Sequence, residues 1–417
     1  MIDVKQIREN KKEVEKELAK KAFDFNLDHF LKIDETRTKL IREVDELRTL
    51  RNVAAEERNI ERGREIKAKL EKLEPALAAI EEEYTNEYFK IPNPPLSDVP
   101  VGDETKNEIL HKVGEPKKID FKPKNHLEIG EGLDLIDTVR ASKVSGTRFA
   151  YLKGDAVLLE LAIIQFAMNK LVKTGFTPIF PPALIKQEIT KGLGYWQVGA
   201  NENYYSVRDY AMEGETKDTD LYLVGTGEHS VVPMHSGEVF KESELPKKYV
   251  AFSSCFRRES GSYGKDTHGI LRVHQFDKIE MISFVKPEDD EKERHSMLKI
   301  VEEMMKELDL PYQVVKLASE DLGFPSAETI DIETWLPSEE KYRETHSIST
   351  TTNFQAKRLN IKYQDGDKKN YVHILNGTAF AIGRIIIAIL ENYQKEDGTV
   401  DVPEALREYL HKDTLSR

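Results

Sequence analysis

Residues 252–281 read FSSCFRRESGSYGKDTHGILRVHQFDKIEM. Two strand-like runs flank a segment rich in turn formers, with Gly261, Ser262, Gly264, Lys265, Asp266 and Gly269, which predicts a hairpin with a long polar loop. Side chains alternate faces along a strand. Arg257 and Glu259 are therefore expected on one side, and Arg272, His274, Phe276, Lys278 and Glu280 on one side of the returning strand. Leu271, Val273, Ile279 and Met281 take its opposite side, so one face suits a core and the other suits chemistry. A solvated face laced with cross-strand ion pairs would share this pattern. Phe276 standing among the charges favours a planar polyanion. The ring offers a stacking platform and the arginine forks fit phosphates, as a nucleoside triphosphate requires.

The remaining composition narrows the class. At 417 residues the chain can bury a full core and form two domains. Hydrophobic residues make up 39% and charged residues 33%, which suits a soluble globular protein with long solvent-facing helix. The most apolar helical run, near 156–172, is interrupted by Glu160, Gln165 and Asn169, and the N-terminus has no apolar leader. Neither a membrane span nor a signal peptide is expected. Cys255 is the single cysteine, which excludes an intrachain disulfide, disfavours structural zinc and points to the cytoplasm. A formal net charge of −13 argues against indiscriminate nucleic-acid binding, so any RNA contact must come from local basic patches.

One such patch lies near the N-terminus. Residues 1–24 have the spacing of a single amphipathic helix, and from about 27 to 90 the apolar positions turn to heptads. Ile33, Leu40, Val44, Leu47 and Ala54 form one seam, and Ile66, Leu70, Leu73, Leu77, Ile80 and Tyr84 the other. Two helices of roughly 27 residues joined by a short turn predict an antiparallel helical hairpin about 40 Å long. Pro75 should kink the second helix or remove a backbone bond. A dimerisation or spacer role would explain the heptads. The tip adds something else: between 48 and 69, Arg48, Arg51, Arg58, Arg62, Arg64, Lys67 and Lys69 face only Glu56, Glu57, Glu61 and Glu65. A local cationic excess on an acidic protein fits a phosphate backbone.

Ile91-Pro92-Asn93-Pro94-Pro95 ends this region, and 96–103 reads as a linker. The run 155–173 is apolar on nearly every side, so it is expected to be buried all round, with a subunit interface able to supply the extra cover. It leads into GFTPIFPP at 175–182. Thr226 and Glu228 are expected to point the same way from an extended segment, offering a hydroxyl and a carboxylate to a small zwitterion, although Thr-x-Glu also occurs at ordinary strand ends. Glu344 offers a hard oxygen ligand with the Ser347 hydroxyl three residues on, company for Mg²⁺, while turn capping would equally explain the serine. Arg384 opens a wholly apolar helix, where a buried guanidinium needs an anion. A core carboxylate would serve. The small residues Gly377, Thr378, Ala379 and Gly383 beside it favour a phosphate.

In order along the chain, 175–182, 252–281 and 372–384 resemble motifs 1, 2 and 3 of the class II aminoacyl-tRNA synthetases. With Thr-x-Glu between the first two and the helical arm in front, the whole chain resembles the bacterial-type seryl-tRNA synthetases. The resemblance implies an α+β fold with a mixed, mainly antiparallel sheet and flanking helices, an arm domain at 1–100 and a catalytic domain at 101–417. It also implies a homodimer, ATP and Mg²⁺ as cofactors, L-serine as substrate, and serine tRNA, with selenocysteine tRNA beside it, as RNA partner. By the same resemblance, Thr226, Gly227, Glu228, Arg257, Glu280, Asn376 and Thr378 surround serine. Arg257, Arg258, Glu259, Arg272, Val273, Phe276, Glu344, Thr345, His346, Ser347 and Arg384 surround ATP, with Arg257 and Arg384 catalytic. Glu344 and Ser347 hold the metal, and Arg48, Arg51, Arg58, Arg62 and Arg64 contact tRNA. Glu328 stands where many members carry lysine, the arm is short, and Thr378 replaces a common serine while keeping the hydroxyl. A relative that loads a carrier protein, or a non-catalytic dimer, would share the second domain. The intact arm speaks against the first and the complete pocket set against the second.

Overall fold

The computed structural model describes residues 1–195, 203–210, 216–260 and 269–417; the loop expected at Gly261, Ser262, Gly264, Lys265 and Asp266 lies outside them. The chain divides into two compact units, Ile2–Pro94 and Pro95–Arg417, the latter taking in Met1.

The first unit begins with two short helices, α1 (Val4–Glu9) and α2 (Lys11–Ala19), where the periodicity suggested one. Asn10 breaks them at φ −133°, ψ 43°, in keeping with the preference of a short amide side chain for helix ends over interiors. Ile7, Val14, Leu18, Leu27, Phe30 and Ile91 share one small core. α3 (Leu27–Glu56) and α4 (Ile60–Tyr88), of 30 and 29 residues, form the expected hairpin. Asn26 and Asn59 cap them by accepting from the His29 and Arg62 backbone N–H groups. Val44, Ala54, Ile66 and Leu70 are buried in the seam, with Leu47, Leu73 and Leu77 half-buried around them. α4 is continuous through Pro75, so the cost there is the missing N–H and not a break.

The second unit is built on an eight-stranded sheet. Its strands are β1 (Glu108–Val113), β2 (Thr177–Ile179), β3 (Lys247–Phe256), β4 (Gln275–Val285), β5 (Tyr312–Lys316), β6 (Glu328–Leu336), β7 (Lys341–Thr350) and β8 (His373–Ala381). Their order is β1-β5-β6-β7-β8-β4-β3-β2. Every pairing is antiparallel except β2 on β3. The α+β expectation holds. Alternation along β4 divides its side chains: Ile279 and Met281 enter the main core, which also takes residues of α5 (Asp155–Lys173), α6 (Asp290–Glu307) and α7 (Ile382–Asn392), whereas Ile282 and Phe284 enter a second core. Leu96 and Val99, read as linker residues, pack against Val315 and Leu317.

One expectation differs in the single chain. α5 is not buried all round in the single chain. Leu159, Ile163, Phe166 and Leu171 point inward, but Val157, Leu158 and Val172 are exposed and Leu161 is 56% exposed. Thirteen apolar positions cannot all meet one sheet, because a helix presents only one stripe to any single partner. Glu328, the residue that departs from the family pattern, is buried between Arg294 Nε at 2.9 Å and Lys316 Nζ at 3.1 Å. None of the helices among the described residues is long and apolar enough to cross a membrane.

Candidate active site

β3, β4, β7 and β8 carry the polar face. β3 ends at Phe256, and Gln275 opens β4 opposite it. Arg257, Glu259, Arg272 and His274 are thus outside the ladder, and simple alternation does not place them. Glu259 instead adopts φ +51°, which turns its carboxylate back to accept from Arg272 Nη1 at 2.7 Å. Arg257 Nε donates to the Gly225 carbonyl at 3.1 Å, and its guanidinium lies 5.4 Å from the centre of the Phe276 ring. Arg257, Glu259, Arg272 and Phe276, with Val273, Thr345 and Arg384, line one cavity.

Two bulges complete the arrangement. Between β6 and β7 the register runs Ile332 to His346 and then Glu333 to Glu344, leaving Thr345 as an extra residue. The inserted residue shifts the parity of the strand, so Glu344 and Ser347, three apart, line the same cavity. The Thr345 hydroxyl bonds Thr334 Oγ1 at 2.7 Å, and the His346 ring packs against Phe380 in the core, 5.4 Å between centroids. A second bulge, between β4 and β8, sets Glu280 opposite Thr378.

A second cavity adjoins the first and shares Arg257, Glu259, Arg272, Glu344 and Thr378 with it. Thr226 and Glu228 line it from a turn entering a short helix, Glu228–Val231, not from an extended segment. The Thr226 hydroxyl accepts from the Glu228 N–H, which is what closes that turn. Gly227 is closely packed: a Cβ there would lie 3.0 Å from Ala251 Cβ and 3.2 Å from Ser253 Oγ, so those neighbours would have to give way. The buried Glu228 carboxylate accepts from Tyr195 Oη at 3.0 Å and Gln355 Nε2 at 2.7 Å. Burial raises its pKa to about 7, with the Glu280 charge adding to the rise and the Gln355 and Tyr195 bonds and Lys278 opposing it.

Two buried polar atoms in this cavity have no hydrogen-bond partner among the described residues, Asn376 Nδ2 and Asp331 Oδ1. Burial, then the Glu344 charge, holds the Asp331 carboxyl well above the usual range. Such groups are costly unless a ligand completes them.

Arg384 is not the buried cation its helix suggested. Its side chain is about a quarter exposed and pairs with Glu344 Oε1 at 2.9 Å, so the carboxylate partner weighed against a phosphate is present. Glu280 is fully buried behind the cavities, in an ion pair with Lys278 at 2.5 Å. Arg258 points elsewhere, its guanidinium 6.0 Å from the Tyr205 ring. Of the expected set, the side chains of Arg258 and His346 lie away from both cavities, the Thr345 hydroxyl turns to Thr334, and Gly227 and Glu280 back the cavities without lining them; the others line one cavity or both. Missing from it were Tyr195, Gln355, Asp331 and Lys278. The first three sit in segments with no local pattern, and Lys278 was read only as one charge on the strand face.

In the arm, Arg48 pairs with Glu74 at 3.0 Å and Arg62 with Glu57 at 3.4 Å. Arg51, Arg58 and Arg64 are exposed and form no ion pair among the described residues.

Known proteins share this architecture. A family model of the tRNA synthetase class II core domain (G, H, P, S and T) matches residues 210–393, and one of the seryl-tRNA synthetase N-terminal domain matches residues 1–95. A serine–tRNA ligase of Thermodesulfovibrio yellowstonii is 40% identical over 433 residues, covering 100% of both chains. The crystal structure of seryl-tRNA synthetase from Pyrococcus horikoshii complexed with ATP superposes with a TM-score of 0.89 at 35% identity, covering 100% of this chain and 99% of that one. A cytoplasmic serine–tRNA ligase from Naegleria fowleri in complex with AMP gives 0.86 at 31% identity, with the same coverage.

Proposed function

The chain belongs to the seryl-tRNA synthetase family, and on that premise we propose that it activates serine with ATP in the paired cavities and transfers the seryl group to serine tRNA and to selenocysteine tRNA. In the first step a serine carboxylate oxygen attacks the α-phosphorus, the bond to the β-phosphate breaks, and pyrophosphate leaves. In the second a terminal ribose hydroxyl of the tRNA attacks the seryl carbonyl and AMP leaves. No side-chain nucleophile takes part; the protein positions the reactants and neutralises charge.

Adenine would stack on Phe276 with Glu259 at its edge and Val273 beside it. Arg257 would bridge the serine carboxylate and the α-phosphate, while Arg272 and Arg384 would hold the outer phosphates, trading their present carboxylate partners for them. Thr226 and Glu228 would take the α-ammonium. Asn376 and Thr378 would face the serine carboxylate and side chain, with Glu280 behind. Glu344 and Ser347 fit Mg²⁺, since both line one cavity beside the unsatisfied Asp331 oxygen. No cluster of three or more metal-binding side chains exists among the described residues, so most ligands would be phosphate oxygens. The ion would supply charge neutralisation of the triphosphate. The exposed apolar face of α5 supports a homodimer, the unpaired arginines at the arm tip support a grip on tRNA by shape, and a lone buried Cys255 suits the cytoplasm.

The observation that carries the reading is Arg257, which borders both cavities at once. ATP–pyrophosphate exchange with each amino acid in turn, followed by charging of serine tRNA, tests it. Exchange with serine alone and charging of both tRNAs are expected. Exchange with another amino acid, or exchange without any tRNA charging, refutes it.

A further inference from the structure

Lys278 and Glu280 lie two residues apart on β4 and so share a face. Their ion pair is 2.5 Å long, and their side chains are 8% and 3% exposed. The Thr378 hydroxyl donates to the same carboxylate oxygen, Oε2, at 3.2 Å, and Lys278 Nζ lies 3.5 Å from that hydroxyl. Both contacts end on Oε2; among the described residues Oε1 accepts no hydrogen bond. Glu280 also packs against the turn that carries Thr226 and Glu228, for a Cβ on Gly227 would lie 3.7 Å from Glu280 Cβ.

We propose that Lys278 fixes the side-chain specificity of the amino-acid pocket, by cancelling the Glu280 charge so that its free oxygen accepts from a neutral hydroxyl instead of capturing an ammonium. The inference rests on the serine-site reading above and adds the origin of its selectivity. The charge count gives the reason. Glu228 and Glu280 bring two negative charges, and Lys278 together with the substrate α-ammonium brings two positive ones. A second ammonium on the substrate would be a buried charge without a partner, which is strongly disfavoured. Without Lys278 the same pocket has one uncompensated carboxylate and should welcome that cation.

L-2,3-diaminopropionate, serine with an ammonium in place of the hydroxyl, is the probe. Pyrophosphate exchange is measured with each amino acid at a pH where the side-chain amine is protonated, in the parent and in Lys278→Met, which keeps chain length and packing. The ratio of kcat/KM for serine to kcat/KM for diaminopropionate is expected to fall by about 10- to 100-fold in the variant. The double variant Lys278→Met, Glu280→Gln, neutral again, should recover the preference for serine. Glu280→Gln alone leaves the ammonium uncompensated and should raise the ratio, which keeps the test open should the methionine variant not fold. Equal losses for both amino acids would assign Lys278 to structure alone, and a raised ATP KM with an unchanged ratio would assign it to the phosphates; either overturns the proposal. A parent protein that activates no serine would sink the site reading itself, a separable failure.

Discussion

Serine should bind more tightly as the pH rises toward 7, because Glu228 must lose a proton before it can receive an ammonium. In the free protein burial, reinforced by Glu280, lifts this carboxyl from 4.5 to about 7. At 1.36 kcal/mol per pH unit, holding it ionised costs roughly 3 kcal/mol relative to water. Because the folded chain binds this proton more tightly than the unfolded chain, the group's contribution to stability is present below pH 4.5 and is lost as the pH climbs through 7. Binding follows the opposite course. At pH 6 about one Glu228 in ten is ionised, so the serine KM in pyrophosphate exchange at saturating ATP should be about tenfold higher than its plateau near pH 8. The ATP KM, which does not involve Glu228, should change far less. Gln355→Leu removes the 2.7 Å donor to the carboxylate and should move the bend in the serine profile to higher pH. A serine KM that is the same at pH 6 and pH 8 would show Glu228 already ionised in the empty pocket and would refute the burial argument.

Three further perturbations reach other parts of the molecule. Glu328→Lys places a third cation between Arg294 and Lys316 and should cost about 3–5 kcal/mol in urea unfolding; unchanged stability would mean the network rearranges freely. Leu161→Asp, in the middle of the exposed apolar face of α5, should convert a dimer to monomers in sedimentation, and a variant that stays dimeric would place the interface elsewhere. Replacing Arg51, Arg58 and Arg64 together with alanine should weaken tRNA charging and flatten its salt dependence while leaving pyrophosphate exchange untouched, whereas a matching loss of exchange would deny the arm its separate role.

Much of this was legible in the sequence because the relevant signals are local. Heptads exposed the helical hairpin, and alternation along the returning strand correctly divided Ile279 and Met281 from Lys278 and Glu280. The misreadings arose where tertiary geometry overrides local period. Glu259 joins Arg257 through a left-handed backbone and not through strand parity, and Thr226 and Glu228 meet the cavity from a turn. The bulge at Thr345 gives Glu344 and Ser347 a shared face that an unbroken strand would deny them. Tyr195 and Gln355, which hold Glu228, stand 33 and 127 residues from it in the chain, and no spacing rule reaches that far. The all-round apolar character of α5 was real, but one chain cannot cover a whole helix.

The central claim is that one continuous pocket, with Arg257 at its junction, holds ATP on one side and serine on the other. A crystal structure with a non-hydrolysable seryl-adenylate analogue tests it directly. The adenine should lie on Phe276, the phosphate mimic within hydrogen-bond distance of Arg257, and the amino group on Glu228. An analogue bound away from Arg257, or with its amino group turned from Glu228, would contradict the account.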